Sequence, residues 1–294
     1  MNPATTIKNK YKLRFKIKMN EVKIDPRAET IELNADSDRE FFLVHGYTGS
    51  PTDFNGLGNY LHERFNANVK IIRLLGHGEN ISSLDKLGYE DFLKQVEEEF
   101  VKELSKGRKI VVGGYSFGSY PALYLASKYP ISGSFHIVIP YELKFPFNLR
   151  IANLAWVFGS HWSKRHKTRL NQNEPYFYYD ELHVNAIRIL RRARQHIDAL
   201  LYKINSPILM VHTKKDIFAK HDSIKMIGEK VNSNVKKLML FDINRHDILF
   251  HKFKDKLFSE IGNFFEKNMV FSRDEIDKVK GKTRKMKKKL LAGN

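Results

Sequence analysis

Cysteine is absent from all 294 residues, which removes disulfides, thiolate metal sites and a cysteine nucleophile in one step. Long apolar runs are missing too. No window comes near the roughly 18 uncharged apolar residues of a membrane-spanning helix. Met1 is followed by a lysine-rich polar stretch, without the apolar core and small-residue cleavage site of a secretion signal. The expected location is therefore the cytoplasm. Acidic residues are also scarce, since 33 Asp and Glu face 51 Lys and Arg for a net charge of +18.

What is present argues for a folded chain. Hydrophobic residues make up 42% and aromatics 12%, and 294 residues are enough for a sizeable core in one large domain with an insertion, or in two domains. The excess positive charge gathers at the ends. Between Lys8 and Lys18, KNKYKLRFKIK alternates basic residues with Tyr11, Leu13, Phe15 and Ile17, the period of a strand with one basic face. Residues 278–289, KVKGKTRKMKKK, hold eight basic residues and no acidic one. Such runs are usually solvated, frayed ends, but they also attract phosphate-bearing surfaces, either an anionic membrane or nucleic acid. Residues 1–25 thus read as a basic N-terminal extension and 269–294 as a basic, flexible tail.

Between these ends, strand and helix patterns alternate. ETIELNA (29–35) reads as a strand that forms a hairpin with the N-terminal one. EFFLVHG (40–46), VKIIRLL (69–75), KIVVGGY (109–115) and GSFHIVIP (133–140) read as buried strands. Helical spacing appears at Phe54, Leu57, Leu61 and Phe65, and at Phe92, Val96, Phe100 and Leu104. Residues 141–203 break the alternation, with no strand signal and many aromatics and arginines. The pattern returns at PILMVHTKKD (207–216), a helix near 222–231, KKLMLFDI (236–243), and a last helix over 248–267. The expected fold is α/β, a mainly parallel sheet with helices on both faces. Its core spans 26–140 and 204–268, with 141–203 as a helical insertion.

One residue invites a chemical reading. Ser116 lies in GGYSFGS, between Gly114 and Gly118, after a buried strand and before a helix. Alone, G-x-S-x-G is weak, but a tight strand-to-helix turn gives it meaning. The apex serine projects above the strand end, and the helix N-terminus supplies amides and partial positive charge for an oxyanion. Pro121 sits awkwardly in this turn, where it removes a donor. A serine hydroxyl also needs a base. Of twelve histidines, His246 follows the last strand and so shares the carboxyl edge with Ser116. His212, inside an apolar strand, reads as a hydrogen-bonded core residue. The acid that orients the base is best read as Asp216, directly after its strand. Asp242 and Asp247 are alternatives, with Asp242 ending a strand and Asp247 capping the last helix.

The order Ser116, Asp216, His246, with HGYTGSPTDF (45–54), RLLGHG (73–78), GGYSFGS (113–119), HTKKD (212–216) and NRHDI (244–248), resembles the carboxylesterase and monoacylglycerol-lipase branch of the α/β-hydrolase superfamily. The resemblance covers about residues 30–267. It implies the α/β-hydrolase fold and a serine ester hydrolase working through an acyl-enzyme, with no cofactor and no metal. It implies that backbone amides of Tyr47 and Phe117 form the oxyanion hole, and that His45 and His77 brace their loops. It implies that 141–203 is a cap over the site, so Trp156, Phe158, Trp162 and Tyr178 are candidate pocket residues. Tyr176, Phe177 and Tyr179 belong to the same aromatic group, most of which would glue the insertion to the core. Ser119 departs from the pattern, standing where many relatives carry glycine. The expected substrate is a small ester or lipid-like molecule, met at the membrane surface if the basic ends bind there. A thioesterase, a peptidase, or a non-catalytic scaffold for anionic partners uses the same frame.

Overall fold

Short runs of branched and aromatic residues become strands, and the amphipathic segments between them become the helices that cover both faces. The computed structural model describes residues 23–144, 161–163, 175–183 and 185–268, with the main chain alone at 161–163, 182 and 183. Nine strands are seen among these residues: β1 (Ile31–Leu33), β2 (Arg39–Val44), β3 (Asn68–Ile72), β4 (Lys109–Tyr115), β5 (Gly133–Ile137), β6 (His161–Ser163), β7 (Glu181–His183), β8 (Ile208–Thr213) and β9 (Lys236–Phe241). Seven form one sheet in the order β1-β3-β2-β4-β5-β8-β9. All neighbours run parallel except β1, which is antiparallel to β3.

Period-two alternation divides the core. On β2, Phe41 and Leu43 point to one face and Phe42 and Val44 to the other, and all four are fully buried. The first face packs against α1 (Leu57–Phe65) and α6 (Lys254–Asn268), through residues such as Leu61, Leu257, Ile261 and Phe265. The second packs against α2 (Tyr89–Ser105), α3 (Ser119–Lys128), α4 (Asn185–Asp198) and α5 (Ser223–Lys230). At the amino edge of the sheet, Arg108 holds the buried Glu40 at 2.8 Å. Burial nonetheless lifts that carboxyl to about 7, against the opposing pull of Arg108. This charged cluster is structural and lies at the opposite edge from the carboxyl ends of the strands.

Several local expectations change. The described partner of β1 is β3, with Ile31 opposite Ile71, rather than the N-terminal basic strand, which lies outside the described residues. The first helix begins only at Leu57, because Asn55 and Gly56 take left-handed φ values of 42° and 90° and break the chain after a one-turn 3-10 helix (Pro51–Phe54). The last helix is divided likewise, into a 3-10 turn (Ile248–Phe250) and α6 from Lys254. Asp247 therefore caps no long helix, and its carboxylate binds Arg245 instead. Between β5 and β8, where no strand was expected, β6 and β7 form an antiparallel ribbon with Trp162 opposite Leu182. Pro121 leaves α3 intact. It is the third residue of the helix, where a backbone N–H has no intrahelical acceptor to lose.

Trp156, Phe158 and the basic run at 278–289 lie outside the described residues, and Trp162 is placed by its main chain alone. Among the described residues, no helix is long and apolar enough to cross a membrane.

Candidate active site

Parallel strands bring their carboxyl ends to one edge, and the three chemistry-bearing loops leave from it. Ser116 follows β4, Asp216 follows β8 and His246 follows β9. Strands lie about 4.8 Å apart, so β9, three places from β4, starts roughly 14 Å away. The loop after β9 closes that gap by folding back over the end of β8. Lys214 N–H donates to Phe241 O (2.9 Å), Lys215 N–H to Ile243 O (3.1 Å), and Thr213 Oγ1 to Arg245 O (2.8 Å). The result is one row: Asp216 Oδ2 lies 2.6 Å from His246 Nδ1, and His246 Nε2 lies 2.8 Å from Ser116 Oγ.

The serine sits at a strained apex. Ser116 has φ +50°, in the left-handed region that non-glycine residues rarely adopt. Its glycine neighbours are dictated by space. A Cβ on Gly114 would lie 2.3 Å from Ser119 Cα, and one on Gly118 would lie 2.0 Å from Val44 O. Ser119 tolerates the same crowding because its hydroxyl turns back to donate to Gly114 O at 3.0 Å. That answers the departure from glycine at 119.

The carboxylate is held in its charged form. Asp216 is fully buried, which alone would raise its pKa. The partner His246, and the amides of Ala219 and Phe218 donating to Oδ1 at 3.0 and 2.7 Å, outweigh burial and bring it to about 2. Lys144 Nζ donates to the Asp216 carbonyl and anchors the turn. Two rings flank the imidazole: Phe218 edge-on at 5.6 Å and Tyr115 tilted at 6.1 Å. Neither ring was singled out in the sequence. Their signal was adjacency, one beside the serine and one two residues past the aspartate. Asp242 and Asp247 are not in the row. Asp242 faces Lys215 at 3.6 Å, and Asp247 binds Arg245.

The loop after β2 comes to the same place because Gly118 packs against the Val44 carbonyl at the end of that strand. The rings of Tyr47 and Phe117 meet edge to face at 5.6 Å, so the two loops touch. Phe117 is the second residue of a 3-10 turn (Ser116–Gly118), where its amide has no intrahelical acceptor. Gly46 N–H donates to Asp53 Oδ2 at 3.2 Å, and a side chain on Gly49 would overlap the Asp53 carboxylate. His45 and His77 do brace these loops. His45 Nε2 accepts from Leu74 N–H (3.1 Å), and His77 Nε2 donates to Tyr47 O (2.6 Å). Burial lowers both pKa values, leaving neutral rings. His212 is a core residue, fully buried, with Nδ1 accepting from Thr213 N–H. Tyr178 is half-buried in the segment entering β7. Among the described residues, no group of histidines and carboxylates is arranged to hold a metal.

A seven-stranded, mostly parallel sheet with a serine elbow after β4 and histidine and aspartate loops at its carboxyl edge is the architecture of the α/β-hydrolase fold. A sequence family described as alpha/beta hydrolase fold matches residues 41–132. The chain is 25% identical over 232 residues to a carboxylesterase of Bacillus subtilis (strain 168), covering 78% of this chain and 93% of that one. It is 32% identical over 88 residues to a thermostable monoacylglycerol lipase of Bacillus sp. (strain H-257), covering 30% of this chain and 35% of that one. A solved metagenome-derived lipolytic enzyme superposes with TM-score 0.74 at 19% identity, over 83% of this chain and all of the other. A monoacylglycerol lipase of Paleococcus ferrophilus superposes with TM-score 0.66 at 18% identity, over 81% and 98%. The chain has the α/β-hydrolase fold and is similar to carboxylesterases and lipases that share it.

Proposed function

We propose that this protein is a serine hydrolase that cleaves carboxylic esters through an acyl-enzyme. The observation that carries the reading is the row Ser116–His246–Asp216 on a strained elbow. Ser116 Oγ attacks the ester carbonyl while His246 Nε2 takes its proton, and His246 returns that proton to the leaving alcohol. Asp216 fixes the tautomer that keeps Nε2 free to accept. The amides of Tyr47 and Phe117 receive the oxyanion, each contributing on the order of 3 kcal/mol to the transition state. Water activated by the same histidine then releases the acid. Residues 141–203 serve as a cap that shapes the acyl pocket, with Tyr178 among its candidate linings.

The resemblance to a carboxylesterase and to monoacylglycerol lipases supports esters of modest acyl length as substrates. A series of p-nitrophenyl esters of graded acyl length checks this. Turnover with an optimum at short to medium chains is expected. No turnover anywhere in the series, with no labelling by a fluorophosphonate probe, would sink the ester reading.

The basic ends extend the same proposal to an anionic membrane surface. Each basic residue near such a surface contributes about 1 kcal/mol, screened by salt over a Debye length. Deleting residues 278–294, which include the eight basic residues of 278–289, should weaken binding to anionic vesicles at low salt. Unchanged binding would remove the tail from the account.

A further inference from the structure

An oxyanion hole works only if its donors are in place before charge develops, and a loop amide is the hardest donor to hold still. The loop after β2 is glycine-rich, HGYTGS, and is held by ties within it and from outside it. Inside it, Gly49 N–H reaches Gly46 O at 3.2 Å and Gly46 N–H reaches Asp53. Further ties come from outside. The Tyr47 carbonyl accepts from His77 Nε2 at 2.6 Å, and the next carbonyl, Thr48, accepts from Tyr179 N–H at 2.8 Å.

Tyr179 enters this arrangement twice. Its main chain holds Thr48, and its hydroxyl lies 2.9 Å from both Gly76 O and Glu79 O, one residue before and two residues after His77. Its ring lies 6.0 Å from the His77 ring. Burial raises the phenol to about 12, so it remains a neutral donor at working pH. The residues before it follow the same course: Phe177 N–H donates to Thr52 Oγ1 (3.1 Å), and Tyr176 OH to Asn55 Oδ1 (2.7 Å). Asn55 in turn donates to Leu249 O, in the loop that carries His246. Residues 176–179 therefore strap the loop bearing Tyr47 to the turn bearing His77.

We propose that Tyr179 is a positioning residue for ester hydrolysis, holding the His77 turn and the Thr48 carbonyl so that the Tyr47 amide faces the developing oxyanion. This rests on the assignment of that amide to the oxyanion hole. Packing alone would need only an aromatic ring at 179. Positioning needs the hydroxyl as well, because the hydroxyl fixes the turn from which His77 reaches Tyr47.

The test compares Tyr179→Phe, His77→Leu and His77→Gln with the wild type in the full-length protein. Tyr179→Phe keeps the ring and the bond to Thr48 and removes only the hydroxyl. It should lower kcat for p-nitrophenyl butyrate by about tenfold, with KM within about twofold and the pH profile unmoved. Affinity for an alkyl trifluoromethyl ketone, which places an oxyanion in the same hole, should fall by the same factor. His77→Leu should fall further, and His77→Gln, which restores a donor toward Tyr47 O, should recover part of the loss. Wild-type kcat in Tyr179→Phe overturns the proposal, whatever His77→Leu does. So does a loss of kcat with unchanged ketone affinity, which marks a merely structural effect. Ser116→Ala is the control that separates the two readings. If it keeps activity, the site assignment fails. If it is inactive while Tyr179→Phe is normal, only the positioning role fails.

Discussion

Ser116→Ala is expected to lower kcat for p-nitrophenyl esters by a factor on the order of 10⁴ to 10⁶ and to abolish covalent labelling by a fluorophosphonate. The size follows from what remains. Removing Oγ deletes the atom 2.8 Å from His246 Nε2, so no acyl-enzyme can form, while the loop amides can still polarise a bound carbonyl toward water. Folding should be unaffected, because alanine tolerates φ +50° no better and no worse than serine. Glycine, which adopts that conformation freely, should instead raise stability by roughly 1 kcal/mol. An inactive Ser116→Gly that melts higher than the wild type would mark the elbow as strain kept for chemistry. Intact-mass analysis reads the labelling directly. An adduct on the alanine variant would place the nucleophile elsewhere.

Asp216→Asn should cost about 10⁴ in kcat/KM while leaving KM within a few-fold. The direction comes from which oxygen does what. Oδ1 accepts from the amides of Phe218 and Ala219, so the asparagine oxygen must occupy that place. Its NH₂ is then left facing His246 Nδ1, where Oδ2 stood at 2.6 Å. A donor there forces the imidazole proton onto Nε2, which then points an N–H at Ser116 Oγ and cannot take its proton. The substitution also removes a pH-dependent stabilisation. The Asp216 pKa is lowered from 3.8 to about 2 in the folded state. Its contribution, about 2 kcal/mol, is therefore present above pH ~4 and lost as pH falls through ~2. The stability difference between wild type and variant should shrink over that window. A variant with wild-type kcat/KM would remove Asp216 from the mechanism and reopen the choice between Asp242 and Asp247.

The elbow was legible in the sequence because its constraint is local. Two glycines around a serine, after an apolar run and before a helix, state the turn's steric demands within five residues. The structure supplies the distances behind them, 2.3 Å to Ser119 Cα and 2.0 Å to Val44 O for a side chain at 114 or 118. The strand assignments of the core were legible for a similar reason, since a strand buried on both faces needs an unbroken apolar run. The division of the last helix was not. Its apolar spacing runs on through Ile248, Leu249 and Phe250, and the break after them is set by the loop that must first bring His246 back across the sheet.

Sequence by itself determined the fold class, the serine elbow, and the order in which serine, aspartate and histidine follow their strands. The elbow is stated by near neighbours, and the fold class and the order follow from the succession of strand and helix patterns along the chain. The sequence favoured Asp216 but left open Asp242 and Asp247, both far closer to His246 in the chain; only the tertiary structure shows Asp216, 30 residues away, against the imidazole. The β9 loop folds over β8, and that path alone turns Nδ1 toward Asp216 while Arg245 and Lys215 draw the other two carboxylates aside. The part played by Tyr179 belongs to the same kind. It lies 131 residues from Thr48, and a hydrogen bond across such a separation leaves no periodicity or spacing in the chain to reveal it.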